Sequence, residues 1–192
     1  MSSQLSTTER RSLRTRPPAM VERLLAAADD ELECVGAEAL SIRSVAQRAG
    51  ISPATAYSYL ASKDHLFAAL FWRRLAADPG PELPEGPAAA RLTGTIAHLM
   101  RLIREAPQTA AAATKSLLGG DPQVAQLRPR IGGLIVGRFR EALGEQADPR
   151  VLETVSLAFF GALLQVGMGL GSYEEFGRRL QNAIDVILEG PG

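Results

Sequence analysis

Three helix starts crowded into one short stretch, Ser41 to Leu66 (SIRSVAQRAGISPATAYSYLASKDHL), limit this chain more than any other feature. Ser41 precedes a periodic run in which Val45, Ala46 and Ala49 share a face. Gly50 can take the left-handed conformation that ends a helix abruptly. Ser52-Pro53 then supplies an N-cap hydroxyl and a proline at the first helical position, where its missing N–H costs nothing. Ser62 opens a third helix before Lys63-Asp64-His65-Leu66. Helices joined by so short a turn cross steeply, as in a helix-turn-helix. Ala46 permits the close approach, Ile51 plugs the corner, and the helix opening at Pro53 is the one offered to a DNA major groove.

The side chains around that turn support this reading. Thr55, Tyr57, Ser58 and Tyr59 fill a two-turn helix with hydrogen-bonding groups where a purely structural helix would carry Leu or Glu. Lys63 stands in a first turn, the end at which the helix dipole disfavours a cation and favours a phosphate.

The run Ala-Gly-Ile-Ser-Pro-Ala-Thr-Ala-Tyr-Ser-Tyr-Leu-Ala-Ser-Lys-Asp-His-Leu, Ala49 to Leu66, resembles the signature of the TetR family of bacterial transcriptional regulators. That signature reads Ala-Gly-Val-Ser-x-Gly-Thr-Leu-Tyr-x-His-Phe-x-Ser-Lys-x-x-Leu. The likeness covers about Leu24 to Leu70 and departs at Ala54 for Gly, Ala56 for Leu, and Tyr59-Leu60 for His-Phe.

Periodicity predicts an all-α chain of about nine helices, and composition agrees: low aromatic content and no strand-favouring runs. Residues 1–16 are Ser/Thr/Arg-rich, with Arg10, Arg11, Arg14 and Arg16 against Glu9, and predict a disordered basic arm. Formal net charge is zero, so this basic end, not the whole surface, is the electrostatic signal. A helix-turn-helix head is expected over 17–77, starting with a helix from Pro17-Pro18 that Gly36 stops. Asp78–Pro87 (DPGPELPEGP) cannot continue a helix and marks a linker. Beyond it, 88–192 predicts a helical body. There Asp121-Pro122 is expected to cap a short helix, and Pro129 to start or kink a longer one containing Gly132, Gly133 and Gly137. Those glycines predict room for a close neighbour or ligand. Val151–Met168 is apolar on nearly every side and predicts burial on both.

The resemblance implies a ligand-responsive regulator, in the commoner mode a repressor that a small hydrophobic effector releases from its operator. It implies a homodimer paired through the last two helices and a pseudo-palindromic double-stranded operator. By analogy, Tyr57, Tyr59 and Lys63 hold phosphates, Arg43 and Thr55 lie near backbone or base edges, and Ser52, Pro53, Ala54 and Ser58 face the bases. The body is expected to enclose an apolar pocket from Leu99, Ile103, Leu134, Phe139, Phe159 and Leu163, with His98, Thr114 or Gln165 as polar handles.

An enzyme would need a convergent nucleophile, base and orienting group. One cysteine, two histidines on separate segments and no Gly-rich phosphate loop do not supply it, and no cofactor or metal is expected. The lone Cys34 and the polar N-terminus point to a reducing cytoplasm and no signal peptide. The competing reading is a helical interaction adaptor that never touches DNA.

Overall fold

The computed structural model describes residues 18–145 and 148–189, and within them every regular element is a helix. The expected basic arm, 1–16, lies outside the described residues. Helix α1 runs Pro18–Ala39, with Gly36 at φ 76° interrupting it where the sequence placed its end. Helices α2 (Ile42–Arg48), α3 (Pro53–Tyr59) and α4 (Lys63–Ala77) complete the head. The body comprises α5 (Ala88–Glu105), α6 (Pro107–Leu118), α7 (Pro122–Leu143), α8 (Pro149–Gly167) and α9 (Tyr173–Glu189).

Local chemistry accounts for the α2–α3 turn. Ser41 and Ser44 form a reciprocal capping box at the start of α2. At its end the amide of Ile51 donates to the Ala46 carbonyl (2.9 Å) and that of Gly50 to Gln47 (3.1 Å). This is a Schellman closure, and it requires the φ of 63° that Gly50 adopts. A Cβ there would also meet the Arg23 guanidinium at 3.1 Å. Ser52 caps α3 through the Thr55 amide, with Pro53 in the first turn.

Two apolar cores form, and α4 contributes to both. Leu24, Leu32, Leu40, Val45, Ala56, Leu60, Leu66 and Leu70 pack the head. Ala68 and Leu75 belong instead to the body core with Leu92, Ile96, Val124, Phe139, Phe159 and Ile184. The packing therefore changes partners along one helix, ahead of the proline-rich linker.

That linker is extended but anchored. The Asp78 carboxylate, 7% exposed, accepts from His98 Nε2 at 2.6–2.7 Å and from the Gly80 amide at 3.1 Å. Arg138 donates to the Leu75 and Asp78 carbonyls (3.2 and 2.7 Å), capping the end of α4 with a cation where the dipole favours one.

Three expectations about the body change. Residues 122–143 form a single helix with Pro129 inside it, so no separate short helix follows Asp121. Pro129 removes one N–H from the ladder and lies on the exposed side of the helix. Of the three glycines in α7, a Cβ at Gly132 would approach Phe160 (4.0 Å), whereas Gly133 and Gly137 have nothing within 4 Å. Close neighbours within the chain thus do not explain the latter two. Finally, α8 is buried on one side only: Val155 and Phe159 face the core, while Leu157, Phe160, Leu164 and Met168 are exposed. By length and composition α8 is apolar enough to cross a membrane (mean hydropathy 1.3), but here it packs along α9 and α7.

Candidate nucleic-acid interface and effector cavity

Helix α3 turns Ala56 inward, and Leu60 just beyond it is buried too, which fixes which side is left for a partner. That outward side carries Ser52, Pro53, Ala54, Tyr57 and Ser58, all exposed, with Tyr57 52% accessible. Ala56, where the family signature has Leu, is fully buried in the head core. Three hydroxyls are engaged locally. Ser52 Oγ accepts the Thr55 amide and lies 2.8 Å from Thr55 Oγ1, and Ser58 Oγ donates to the Thr55 carbonyl at 2.6 Å. Each keeps acceptor capacity for a further donor. Pro53 and Ala54 offer small apolar surface of the kind that meets thymine methyl groups.

Around this face the other expected residues differ in freedom. Arg43 on α2 is exposed and makes no hydrogen bond or ion pair with a described residue. Tyr59 is half-buried, its ring packed partly on the head core. Lys63 is more committed than the sequence implied: its Nζ donates to the Glu38 carbonyl at 2.7 Å and lies 5.9 Å from the Phe67 ring centroid. The carbonyl offsets the conflict with the α4 dipole that a phosphate was expected to relieve. Two ammonium protons remain for another acceptor.

Hydrogen bonds and ion pairs brace this head. Arg48 Nε donates to Glu31 at 2.7 Å, which holds that carboxylate below its ordinary range against the opposing effect of burial. The first turn of α4 is fastened to the body: Ser62 Oγ donates to Asp121 (2.6 Å) and Ser116 Oγ to Asp64 (2.7 Å). Asp121 is held below the usual carboxylate range chiefly by the Ser62 hydroxyl, helped by the Val124 and Gln123 amides that it caps. These contacts connect the helix after α3 directly to the α6–α7 corner.

Above that corner lies an apolar cavity of about 160 Å³. Phe71, Ile103, Thr114, Leu117, Ile131, Leu163 and Tyr173 are among the residues that line it. Five of its residues also line a narrow inner compartment of about 20 Å³ bounded by Arg74, Leu99, Thr109 and Phe159. Of the residues expected here, Leu99, Ile103, Thr114, Phe159 and Leu163 are brought together. Leu134 and Phe139 pack in the body core instead, Phe139 edge-on to Phe159 with centroids 5.2 Å apart. Gln165 lines a separate cleft between α8 and α9. His98 is taken by Asp78, so it is no handle for this cavity. Thr114 Oγ1 already donates to the Ala110 carbonyl (2.8 Å). Sequence reasoning missed Arg74, Thr109 and Tyr173. The signal for Arg74 was its place four residues after Leu70 and three after Phe71, on the inward stripe of α4. Among the described residues no group of three or more His, Cys, Asp and Glu side chains is placed to hold a metal.

A short polar-faced helix joined to the one before it by a tight glycine turn, on a helical body with an apolar cavity, has the arrangement of a helix-turn-helix regulator. Comparison with known proteins agrees. Residues 24–70 match the family described as "Bacterial regulatory proteins, tetR family". An HTH-type transcriptional regulator of Mycobacterium tuberculosis is 38% identical over 177 residues, covering 91% of this chain and 83% of its own length. A TetR regulator from Rhodococcus sp. RHA1 superposes with a TM-score of 0.70 at 18% identity, over 89% of this chain and 95% of that one. Thermus thermophilus FadR, a TetR-family repressor solved with lauroyl-CoA, gives 0.63 at 18% identity, over 90% and 99%. The chain therefore belongs to the TetR family and is a DNA-binding transcriptional regulator.

Proposed function

We propose that this protein is a dimeric, effector-released repressor working in the cytoplasm. Residues 17–77 would form its DNA-binding head, 78–87 the connection and 88–192 the ligand-binding and dimerisation body. The observation that carries the reading is the outward face of α3, polar and exposed while Ala56 and Leu60 anchor it from behind. In this reading Tyr57, Arg43 and the remaining Lys63 protons engage phosphates, with Tyr59 and Thr55 beside them. Ser52, Pro53, Ala54 and Ser58 face the base edges. The face lacks long base-reading side chains, so methyl contacts and duplex shape carry much of the specificity.

The exposed apolar side of α8, continued by Val186 on α9, supports pairing with a second copy. Two-fold pairing presents two α3 helices to half-sites about one DNA turn apart. The cavity is apolar almost throughout, which supports a hydrophobic effector. FadR, on the same fold, was solved in complex with lauroyl-CoA. A ligand that favours the conformation with mismatched heads shifts the dimer off its operator.

The test is titration of the protein against its own upstream DNA at several salt concentrations. Tight binding to that duplex with a steep negative salt slope is expected. Arg43→Ala should weaken binding to every sequence alike and make the slope shallower by about one unit. A slope unchanged by that substitution removes Arg43 from the phosphate contacts. Complete absence of salt-dependent DNA binding would instead favour the adaptor reading.

A further inference from the structure

We propose that the effector carries a carboxylate, which seats between Arg74 and Thr109, with its apolar part in the larger cavity. This rests on the cavity being the effector site. Arg74 is the one charged residue lining the inner compartment, and its Nε is buried with no hydrogen-bond partner. A buried donor left unpaired is unfavourable, so an acceptor supplied from the cavity is favoured. Thr109 lines the same compartment; it is 3% exposed, and its hydroxyl bonds to no described residue. Both residues line this one small space and also border the cleft outside it, where the Arg74 side chain is 37% exposed.

The charges nearby leave Arg74 available. Its contact with Asp29 of α1 is long, 3.5 Å, and Asp29 is held more closely by Arg73. Glu105, across the adjoining cleft, is paired with Arg101 at 2.5 Å, and Glu33 is exposed to solvent. Size fits the division of labour. The 20 Å³ compartment holds one small polar group, whereas the 160 Å³ cavity is similar to one that accommodates a benzene ring. A carboxylate with an aryl group or a chain of about eight carbons matches that combination. Seating it draws Arg74 from its long contact with Asp29, while Arg73 keeps that carboxylate tied to α4.

Calorimetric titration of the full-length protein with octanoate, 1-octanol and octylamine tests this. Octanoate is expected to bind at least tenfold more tightly than 1-octanol, and octylamine most weakly. Arg74→Gln should abolish the advantage of the acid while leaving 1-octanol affinity unchanged, and Thr109→Val should reduce it in part. Should Arg74→Gln not fold, the acid–alcohol comparison on the unaltered chain and Thr109→Val still decide. Equal binding of acid and alcohol, or an advantage that survives Arg74→Gln, overturns the head-group assignment and leaves the cavity as an effector site. If none of the three binds while operator binding is intact, the effector reading falls and this assignment with it.

Discussion

Asp78→Ala is expected to remove about 3–5 kcal/mol of stability, because it leaves the buried Arg138 cation and His98 without the carboxylate they surround. Arg138 Nη1 already lacks a partner, so the site has no spare acceptor to take over. Denaturant titration would show the midpoint fall with the slope unchanged. A loss below about 1 kcal/mol, the range of exposed ion pairs, would mean the cluster is not the anchor it appears from its burial. The same group predicts a pH dependence. Burial is the largest single influence on Asp78 and opposes ionisation. The His98 and Gly80 hydrogen bonds, with the His98 and Arg138 charges, together outweigh it and lower the pKa. A carboxylate lowered on folding stabilises fully above its unfolded value, near pH 4. That contribution disappears as pH falls through the lower folded value. Acid titration should therefore narrow the gap between the parent and Asp78→Ala, and a gap constant down to pH 2 would contradict it.

Leu157→Glu is expected to leave the single chain as stable as before yet abolish operator binding. Leu157 is 69% exposed and supports nothing within its own chain. Against a second copy of α8, however, a carboxylate would be buried without a partner. Losing the dimer removes the second half-site, and linkage of two sites is worth about 10²–10⁴ in affinity. Sedimentation should show a monomer with native helical content, and the operator titration a loss of at least a hundredfold. A stable dimer with full DNA affinity would place the subunit interface elsewhere. Val186→Glu on α9, equally exposed, provides the independent check.

The head was legible in the sequence because its geometry is dictated locally. Ser41, Gly50, Ser52, Pro53 and Ser62 set caps and a closure within a few residues of themselves, and each takes the conformation its chemistry requires. The body was legible only as helices. Periodicity marks the inward stripe of α7 but cannot say that Ile131 reaches the cavity while Phe139 meets Phe159. The Asp78 anchor shows the same limit: composition forbids a helix there, yet its partners stand 20 and 60 residues away. Likewise α8 looked buried all round because an apolar helix does not state whether its cover comes from its own chain.

The double allegiance of α4 has a thermal consequence. Since Leu66 and Leu70 pack below and Ala68 and Leu75 above, melting either core drags apart the rod that the other leans on. Calorimetry should then record one heat-absorption peak for the whole molecule, not a fragile tip followed by a sturdier base. Any molecule that tightens the upper part would, for the same reason, protect amide protons in the tip from exchange.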